Sequence, residues 1–342
     1  MDIVKRIFRY TIKISLSLTI SIFITKQIYQ LIFPESNKTK KRQLIAKEIL
    51  KALGINNPPE LTDNESIILI NFISTTNKIT FNEIIGYKNI KTIIRRRIIY
   101  PLLLSCVNKT NNFLNPPMGV LFYGPPGNGK TKFSQALILE SGCRFLNIDM
   151  SKIMNKLFGE SQKLINALFS LAKKLEPVIL FIDEIESFFR VRKATDNECM
   201  INFKAYFLSK WDEYIQNNSK IVIVGSSNMP KLIDPAILRR LSVKIFIDLP
   251  NEETRIDILK SLLPCVFTNP EIINDIKIKT RNLSCSDLIE ICRNTVSDKI
   301  NDKLESNFDY LNQKESGSFN YKETIKYNEF YFALNKFLNE KI

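Results

Sequence analysis

The fold is decided by the stretch Gly124-Pro125-Pro126-Gly127-Asn128-Gly129-Lys130-Thr131. This stretch matches the pattern G-x-x-x-x-G-K-[ST]. It follows an apolar run at Val120–Tyr123 and precedes a helical pattern that begins at Thr131. Glycines let the backbone curl so that successive N–H groups face one point, and the N-terminus of the next helix adds partial positive charge. The stretch therefore predicts a loop that holds the phosphates of a nucleotide.

Two side chains of this loop are expected to act on the bound nucleotide. Lys130 is expected to neutralise the β- and γ-phosphates of ATP, and the hydroxyl of Thr131 is expected to bind Mg²⁺.

Two adjacent carboxylates follow another apolar run, Val178–Ile182. Ligands of open α/β sheets collect at the carboxyl ends of the strands, so this strand is expected to bring Asp183 and Glu184 beside the phosphate loop. Asp183 would hold Mg²⁺, and Glu184 would orient and polarise the attacking water. The pair extends the prediction from ATP binding to ATP hydrolysis.

Three further residues are weaker candidates for the same site. Asn228 follows the apolar run Ile221–Val224 and could place its amide near the phosphates, although an isolated asparagine in a loop is usually a turn residue. Arg239 and Arg240 follow a turn, and paired arginines most often lie on a solvated surface. If the protein forms a ring, they could instead reach the γ-phosphate of a neighbouring subunit.

Strand and helix patterns alternate from about residue 81 to residue 250, which predicts an α/β P-loop NTPase domain with a parallel sheet between helices. After residue 250 only helical patterns recur, at Glu252–Leu262, Ser286–Asn294 and Asn328–Leu338, so a small α-helical domain is expected at 251–342. We expect an N-terminal membrane anchor with a basic flank at 1–40, a helical linker at 41–80 and the large ATPase domain at 81–250. The five expected strands are Val120–Tyr123, Phe145–Ile148, Val178–Ile182, Ile221–Val224 and Lys244–Ile247.

The composition excludes several classes of site. The chain has no histidine, which rules out imidazole zinc sites and the H-E-x-x-H motif of metalloproteases. Its six cysteines show no C-x-x-C spacing, which favours reduced thiols in a cytosolic setting.

The N-terminal segment is expected to be a single transmembrane helix. Tyr10 to Phe33 spans about 24 residues, enough to cross a bilayer if the flanking lysines Lys13 and Lys26 reach the interfaces. A signal peptide and a helix lying in the membrane plane are the alternatives, and the first lacks a small-residue cleavage site. The basic cluster after the anchor places the rest of the chain in the cytosol.

The positive charge of the chain is partly explained by this anchor. The net charge is +14, and residues 1–50 hold ten Lys or Arg against three Asp or Glu. Nucleic-acid binding is therefore not expected, and the basic residues between Lys88 and Arg97 are interpreted as the solvated face of a helix.

Taken together, these motifs resemble those of the AAA ATPases, with Walker A at Gly124–Thr131, Walker B at Asp183 and Glu184, sensor 1 at Asn228, and arginine fingers at Arg239 and Arg240. The closer likeness, from about Lys41 to Asn294, is to the membrane-anchored AAA dislocases of the mitochondrial outer membrane and peroxisomes. It is carried by stretches such as Phe169-Ser170-Leu171-Ala172, Phe181-Ile182-Asp183-Glu184-Ile185 and Trp211-Asp212.

This resemblance implies a homo-hexamer that extracts mislocalised tail-anchored proteins by threading them through a central pore. It implies a cytosolic ATPase domain on a mitochondrial outer membrane or peroxisomal anchor. The implied pore loop is Leu157, Phe158 and Gly159, with Leu157 in place of the usual tryptophan, and a second pore loop would fall near Arg192–Asn197.

The likeness also identifies an adenine pocket at Ile84 and Ile85. Ile85 and Cys285 replace glycines of the family, and the intersubunit signalling segment reads Asp212-Glu213 instead of aspartate-glycine. Nucleotide affinity and ring coordination could therefore differ from those of the family.

Three alternatives to extraction differ in what they require. Membrane-bound AAA proteases need a histidine zinc motif that this chain lacks. Related ATPases that sever microtubules or disassemble membrane-remodelling filaments share the pore and are the main alternative. They would need an additional N-terminal domain, and fewer than about 50 residues precede the linker. A scaffold that only senses ATP would not need the intact Lys130, Thr131, Asp183 and Glu184.

Overall fold

The computed structural model describes residues 34–52, 54–71, 73–74, 79–107, 116–154, 160–191, 198–216, 219–267, 269–306 and 325–340. The expected anchor and both expected pore loops, 157–159 and 192–197, lie outside these ranges. Among the helices that fall inside them, none is long and apolar enough to cross a membrane.

The described part of the chain starts with helices and continues as an α/β domain. Its first part contains α1 (Pro34–Ala52), α2 (Asp63–Asn71), the short strand β1 (Ile73–Ser74), α3 (Lys88–Ile94), a π-helical turn (Arg95–Ile99) and α4 (Tyr100–Val107). The α/β part contains β2 (Gly119–Tyr123), α5 (Lys130–Ser141), β3 (Arg144–Ile148), α6 (Met150–Met154), α7 (Glu160–Lys174), β4 (Val178–Ile182), α8 (Glu198–Gln216), β5 (Ile221–Ser227), α9 (Pro235–Arg240) and β6 (Val243–Phe246). The last part is helical, with α10 (Glu252–Leu262), α11 (Pro270–Lys279), α12 (Cys285–Ser306) and α13 (Tyr327–Glu340).

The sheet has the order β1-β3-β4-β5-β2-β6. Five of these strands are parallel, which confirms the expected parallel sheet, and β1 pairs antiparallel to β3 through Ile73 and Ile148. The sixth strand was not expected, because two residues are too few to show a period. Strand β4 is buried along its whole length, as a central parallel strand covered on both faces should be.

Within the described residues, the core has three parts. One cluster covers one face of the sheet and includes Leu180, Phe207 and the single tryptophan, Trp211. A second covers the other face with Phe133 and Phe181, and a third fills the C-terminal helical domain around Leu259 and Phe330. Apolar residues alternate between the two faces of each strand, as Leu180 and Phe181 do on β4, so both layers of helices have an apolar surface to cover.

The linker helix α2 is fastened to α7 by a buried carboxylate. Thr62 and Glu65 form a capping box, in which the Thr62 N–H donates to Glu65 Oε2 at 2.7 Å and the Glu65 N–H donates to Thr62 Oγ1 at 3.3 Å. Glu65 is 1 % exposed, and it also accepts hydrogen bonds from Lys174 at 2.7 Å and Ser170 at 2.6 Å. The Glu65 carboxylate, which caps α2, thus also binds α7.

Three helical features differ from the sequence prediction. Helix α11 was not expected because Ile272, Ile276 and Ile278 lie in a mixed pattern of polar and apolar residues, although Asn269 and Pro270 form a helix start signal. Helix α12 runs to Ser306, beyond the expected end at Asn294. Helix α1 begins at Pro34 and therefore crosses the expected boundary at residue 40.

The carboxylate of Glu65 should make stability depend on pH in the acid range. Burial raises its pKa, but the hydrogen bonds from Lys174, Ser170 and Thr62 outweigh burial and bring the pKa below its ordinary 4.5. The stabilisation is therefore present above pH 4.5 and is lost as pH falls through the lower, folded pKa.

Glu65→Gln should lower the free energy of unfolding by about 2 kcal/mol at neutral pH. The difference in free energy of unfolding between this variant and the unsubstituted protein should shrink as pH falls below 4.5. Urea titrations followed by Trp211 fluorescence measure this, and Glu48→Gln, an exposed carboxylate on α1, is the control. A stability difference that does not change with pH would contradict the role assigned to the Glu65 carboxylate.

Candidate nucleotide site

The phosphate loop joins the carboxyl end of β2 to the start of α5. Gly124, Gly127 and Gly129 have φ values of 145°, 80° and 82°, which L side chains rarely adopt. A Cβ on Gly124 would lie 2.1 Å from the carbonyl oxygen of Ile247, just beyond β6. The loop therefore keeps its curl because β6 lies directly against the first glycine.

Lys130 is folded back into the loop that precedes it. Its side chain is 7 % exposed, and Nζ donates to the carbonyl oxygens of Gly124 at 2.9 Å and Pro125 at 2.8 Å. Burial lowers the pKa of this ammonium group, and the carboxylates of Asp183 and Glu186 oppose that effect. The cation is thus held among neutral acceptors at the place where phosphates are expected.

Asp183 lies at the end of β4, within hydrogen-bond reach of the phosphate loop. The Thr131 hydroxyl donates to Asp183 Oδ2 at 3.1 Å, and the buried Ser226 hydroxyl of β5 donates to Asp183 Oδ1. Three neighbouring elements, α5, β4 and β5, therefore fix this carboxylate. Ser226 was missed from the sequence, because a serine inside a strand gives no local signal of its partner.

Glu184 is exposed and has left-handed backbone geometry, with φ 47° and ψ 50°. This conformation is uncommon for a residue with a side chain and often marks a functional position. Its backbone N–H is held by Asp183 Oδ1 at 3.1 Å. A cavity of about 430 Å³ opens beside it, lined by Asp183, Asn147 and Asp149 among others. Glu184 therefore has open space in front of its carboxylate.

Asn228 comes directly after β5, at the same edge of the sheet. Its backbone N–H donates to Glu186 Oε1 at 3.0 Å. Glu186 belongs to the turn that follows Glu184, and no sequence pattern pointed to it.

The two arginines differ in their surroundings. Arg239 is exposed, whereas Arg240 is half-buried and makes a bidentate pair with Asp212 of α8, through Nε at 2.7 Å and Nη2 at 2.5 Å. Arg240 Nη1 also donates to the carbonyl oxygen of Ala236 at 2.7 Å. Asp212 and Arg240, which are 28 residues apart, are thus joined within one chain.

The expected adenine pocket lies where the large domain meets the helical domain. Ile84 is buried against the sheet, while the Ile85 side chain packs against the core of the helical domain. The Tyr87 hydroxyl donates to the carbonyl oxygen of Asp248 at 3.1 Å and lies 3.4 Å from Cys285 Sγ. Burial is the largest effect that raises the pKa of the Cys285 thiol and of the Tyr87 hydroxyl, so both groups stay protonated at neutral pH.

The helical domain also touches the phosphate loop. The backbone N–H of Ser286 and its hydroxyl both donate to the carbonyl oxygen of Gly127, at 3.0 Å and 3.1 Å. The Cys285 N–H donates to Asn128 Oδ1 at 3.3 Å. The start of α12 is therefore hydrogen-bonded to the loop that would hold the phosphates.

These residues fit ATP with Mg²⁺. Lys130 offers a buried positive charge whose hydrogen-bond acceptors are neutral, and glycines with positive φ form the loop around it. Thr131 and Asp183 present adjacent oxygen atoms, the ligand type that Mg²⁺ prefers. The structure thus brings together the residues predicted in the phosphate loop and on β4, and it places Asn228 at the same edge.

Comparison with known proteins identifies the family of the chain. The model of the family described as "ATPase family associated with various cellular activities (AAA)" matches residues 120–249. An outer mitochondrial transmembrane helix translocase of Danio rerio is 37% identical over 277 residues, which cover 80% of this chain and 76% of the relative. The human protein of the same name is 34% identical over 315 residues, covering 90% of this chain and 86% of the relative.

A solved structure shows the same fold. The crystal structure of the FIGL-1 AAA domain in complex with ADP matches with a TM-score of 0.64 and 26% sequence identity, and the match covers 82% of this chain and 92% of that chain.

The fold and site define an AAA-type P-loop ATPase domain. The chain therefore belongs to the family of AAA ATPases that includes the outer mitochondrial transmembrane helix translocases. Membership implies that it hydrolyses ATP, and AAA ATPases generally assemble as hexamers.

Gly124→Ala should disturb the site through the backbone of Ile247, just beyond β6. The added methyl would collide with the Ile247 carbonyl, so ATP affinity measured with a fluorescent analogue should fall by more than about tenfold. Gly142→Ala is the matched control, since Gly142 also has positive φ but nothing lies within 4 Å of its Cβ position. Equal effects of the two substitutions would show that backbone strain alone, and not the contact with β6, is responsible.

Proposed function

We propose that this protein is a membrane-anchored AAA ATPase that extracts mislocalised tail-anchored proteins from a membrane by threading them through the pore of a homo-hexamer. The observation that carries the ATPase part is the contact of Thr131 with Asp183 beside the buried Lys130. The extraction part is supported by relatives named translocases that match most of the chain. The anchor and pore loop, Leu157–Gly159, rest on the sequence.

In the proposed reaction, each residue of the site has a separate task. Lys130 binds the β- and γ-phosphates, and the loop from Gly124 to Gly129 surrounds them with backbone N–H groups. Thr131 and Asp183 would hold Mg²⁺, which neutralises charge on the phosphate oxygens when bound. Glu184 accepts a hydrogen bond from the attacking water and draws its proton away, facing the open cavity in front of it.

Arg239 is the better candidate for a residue that acts on a neighbour's nucleotide. It is exposed, so it is available to a second subunit, whereas Arg240 is paired with Asp212 in its own chain. We propose that Arg239 contacts the phosphates of the adjacent subunit and that Arg240 positions the helix that carries it. Because Asp212 lies on α8, the Arg240 pair would also transmit a movement of α8 to α9.

We place the protein in the mitochondrial outer membrane, with the peroxisomal membrane as a second location and the ATPase domain in the cytosol. The names of the relatives and the apolar segment between residues 10 and 33 support this location.

Glu184→Gln should bind ATP but turn it over at least about 100-fold more slowly, because the amide cannot take a proton from water. With the full chain in liposomes that contain a tail-anchored client, this variant should hold the client without releasing it. Lys130→Ala is the comparison and should lose ATP binding. Normal turnover by Glu184→Gln would contradict the catalytic assignment, and ATP turnover without client release by the parent would contradict extraction.

The membrane location is tested separately from the chemistry. A fluorescent fusion of the full chain should mark the mitochondrial or peroxisomal membrane, and removal of residues 1–33 should make the signal diffuse in the cytosol. Diffuse signal from the full-length fusion would overturn the membrane assignment.

A further inference from the structure

Glu186 is a carboxylate at the nucleotide edge that has no part in the reaction described above. It lies in the short 3₁₀ turn Ile185–Ser187, two residues after Glu184. The turn is anchored in the core, because the Ile185 side chain is fully buried. Ile185 packs so closely on β5 that a Cβ added to Gly225 would lie 2.9 Å from the Ile185 Cδ1 atom. The position of Glu186 is therefore set by the packing of β4 against β5.

One oxygen of this carboxylate holds the backbone of Asn228. The Asn228 N–H donates to Glu186 Oε1 at 3.0 Å, across 42 residues of sequence. A charged acceptor makes a stronger hydrogen bond than a neutral one and fixes the donor more firmly. The contact joins the turn after Glu184 to the residue whose amide is expected to reach the phosphates.

The other oxygen is buried and lacks a hydrogen-bond partner among the residues that the structure describes. A buried carboxylate oxygen without a donor disfavours folding, so stability alone does not account for an acid at this position. Glu186 is also one of the two carboxylates whose charge acts on the ammonium of Lys130. The negative charge of Glu186 thus acts on a residue at the end of the phosphate loop.

We propose that Glu186 is a positioning residue for ATP hydrolysis, which acts by holding the backbone of Asn228 so that the Asn228 amide faces the reacting phosphate. Glu186 does not itself contact the nucleotide. This inference rests on the proposed ATPase function and on the role that the sequence predicts for Asn228, an amide near the phosphates, and it does not depend on the client protein or on the membrane.

The test measures steady-state ATP turnover of the full chain. Glu186→Ala should lower kcat by about 10- to 100-fold, the effect of a catalytic group displaced by about 1 Å, and should change KM for ATP by less than about threefold. Glu186→Gln keeps the length and an acceptor oxygen, so it should retain kcat within about threefold. Glu186→Asp keeps the charge but is one methylene shorter, and it should behave like the alanine variant.

A double-mutant cycle separates a positioning role from a general structural one. If Glu186 acts through Asn228, then Asn228→Ala and the double variant with Glu186→Ala should have the same kcat within about twofold. Glu290→Ala, an exposed carboxylate on α12, is the control and should leave turnover unchanged.

Several results would overturn the inference. These are unchanged kcat in Glu186→Ala, a loss that multiplies with that of Asn228→Ala, or a raised KM with normal kcat. If the alanine variant does not fold, an active Asp variant with an inactive Gln variant would overturn it equally. Absence of turnover in the parent chain would instead contradict the ATPase assignment itself.

Discussion

The parallel pairing of β2 between β5 and β6 is the constraint on which the site depends. It places the carboxyl ends of the strands at one edge, so that the loop after β2 meets the polar residues that follow β4 and β5. The close contact of Gly124 with the carbonyl of Ile247 is the tightest point of this arrangement. Because the Ile247 group is backbone, it cannot move aside without disturbing the chain at the end of β6, and position 124 therefore has no room for a side chain.

Three carboxylates follow β4 within four residues of sequence, and each has a different environment. Asp183 is bound by hydroxyls of two other elements, Glu184 faces an open cavity, and Glu186 is turned toward the backbone of Asn228. The left-handed backbone at Glu184 allows the chain to turn sharply between them. Adjacent acids can thus serve metal binding, water activation and positioning without competing for the same partners.

The helical domain makes hydrogen bonds to the phosphate loop and to the segment that joins this domain to the sheet. The start of α12 is bonded to Gly127 and Asn128, and the buried guanidinium of Arg255 donates to the carbonyl oxygens of Pro250 and Lys277 and to Thr280 Oγ1. Burial lowers the pKa of Arg255, whose hydrogen-bond acceptors are neutral oxygens. Since Pro250 lies between β6 and α10, this contact joins α10 to the segment that leads from the sheet into the helical domain.

The sequence by itself determined the α/β class, the five parallel strands, the phosphate loop and the acids Asp183 and Glu184, because each of these depends on short-range patterns. A glycine pattern between a strand and a helix, or acids at the end of an apolar run, carries its meaning within about ten residues. Only the tertiary structure decided which partners these groups have. Ser226 with Asp183, Glu186 with Asn228 and Asp212 with Arg240 are pairs separated by 43, 42 and 28 residues. Such pairs follow from strand order and helix packing, and no local spacing of residues encodes them.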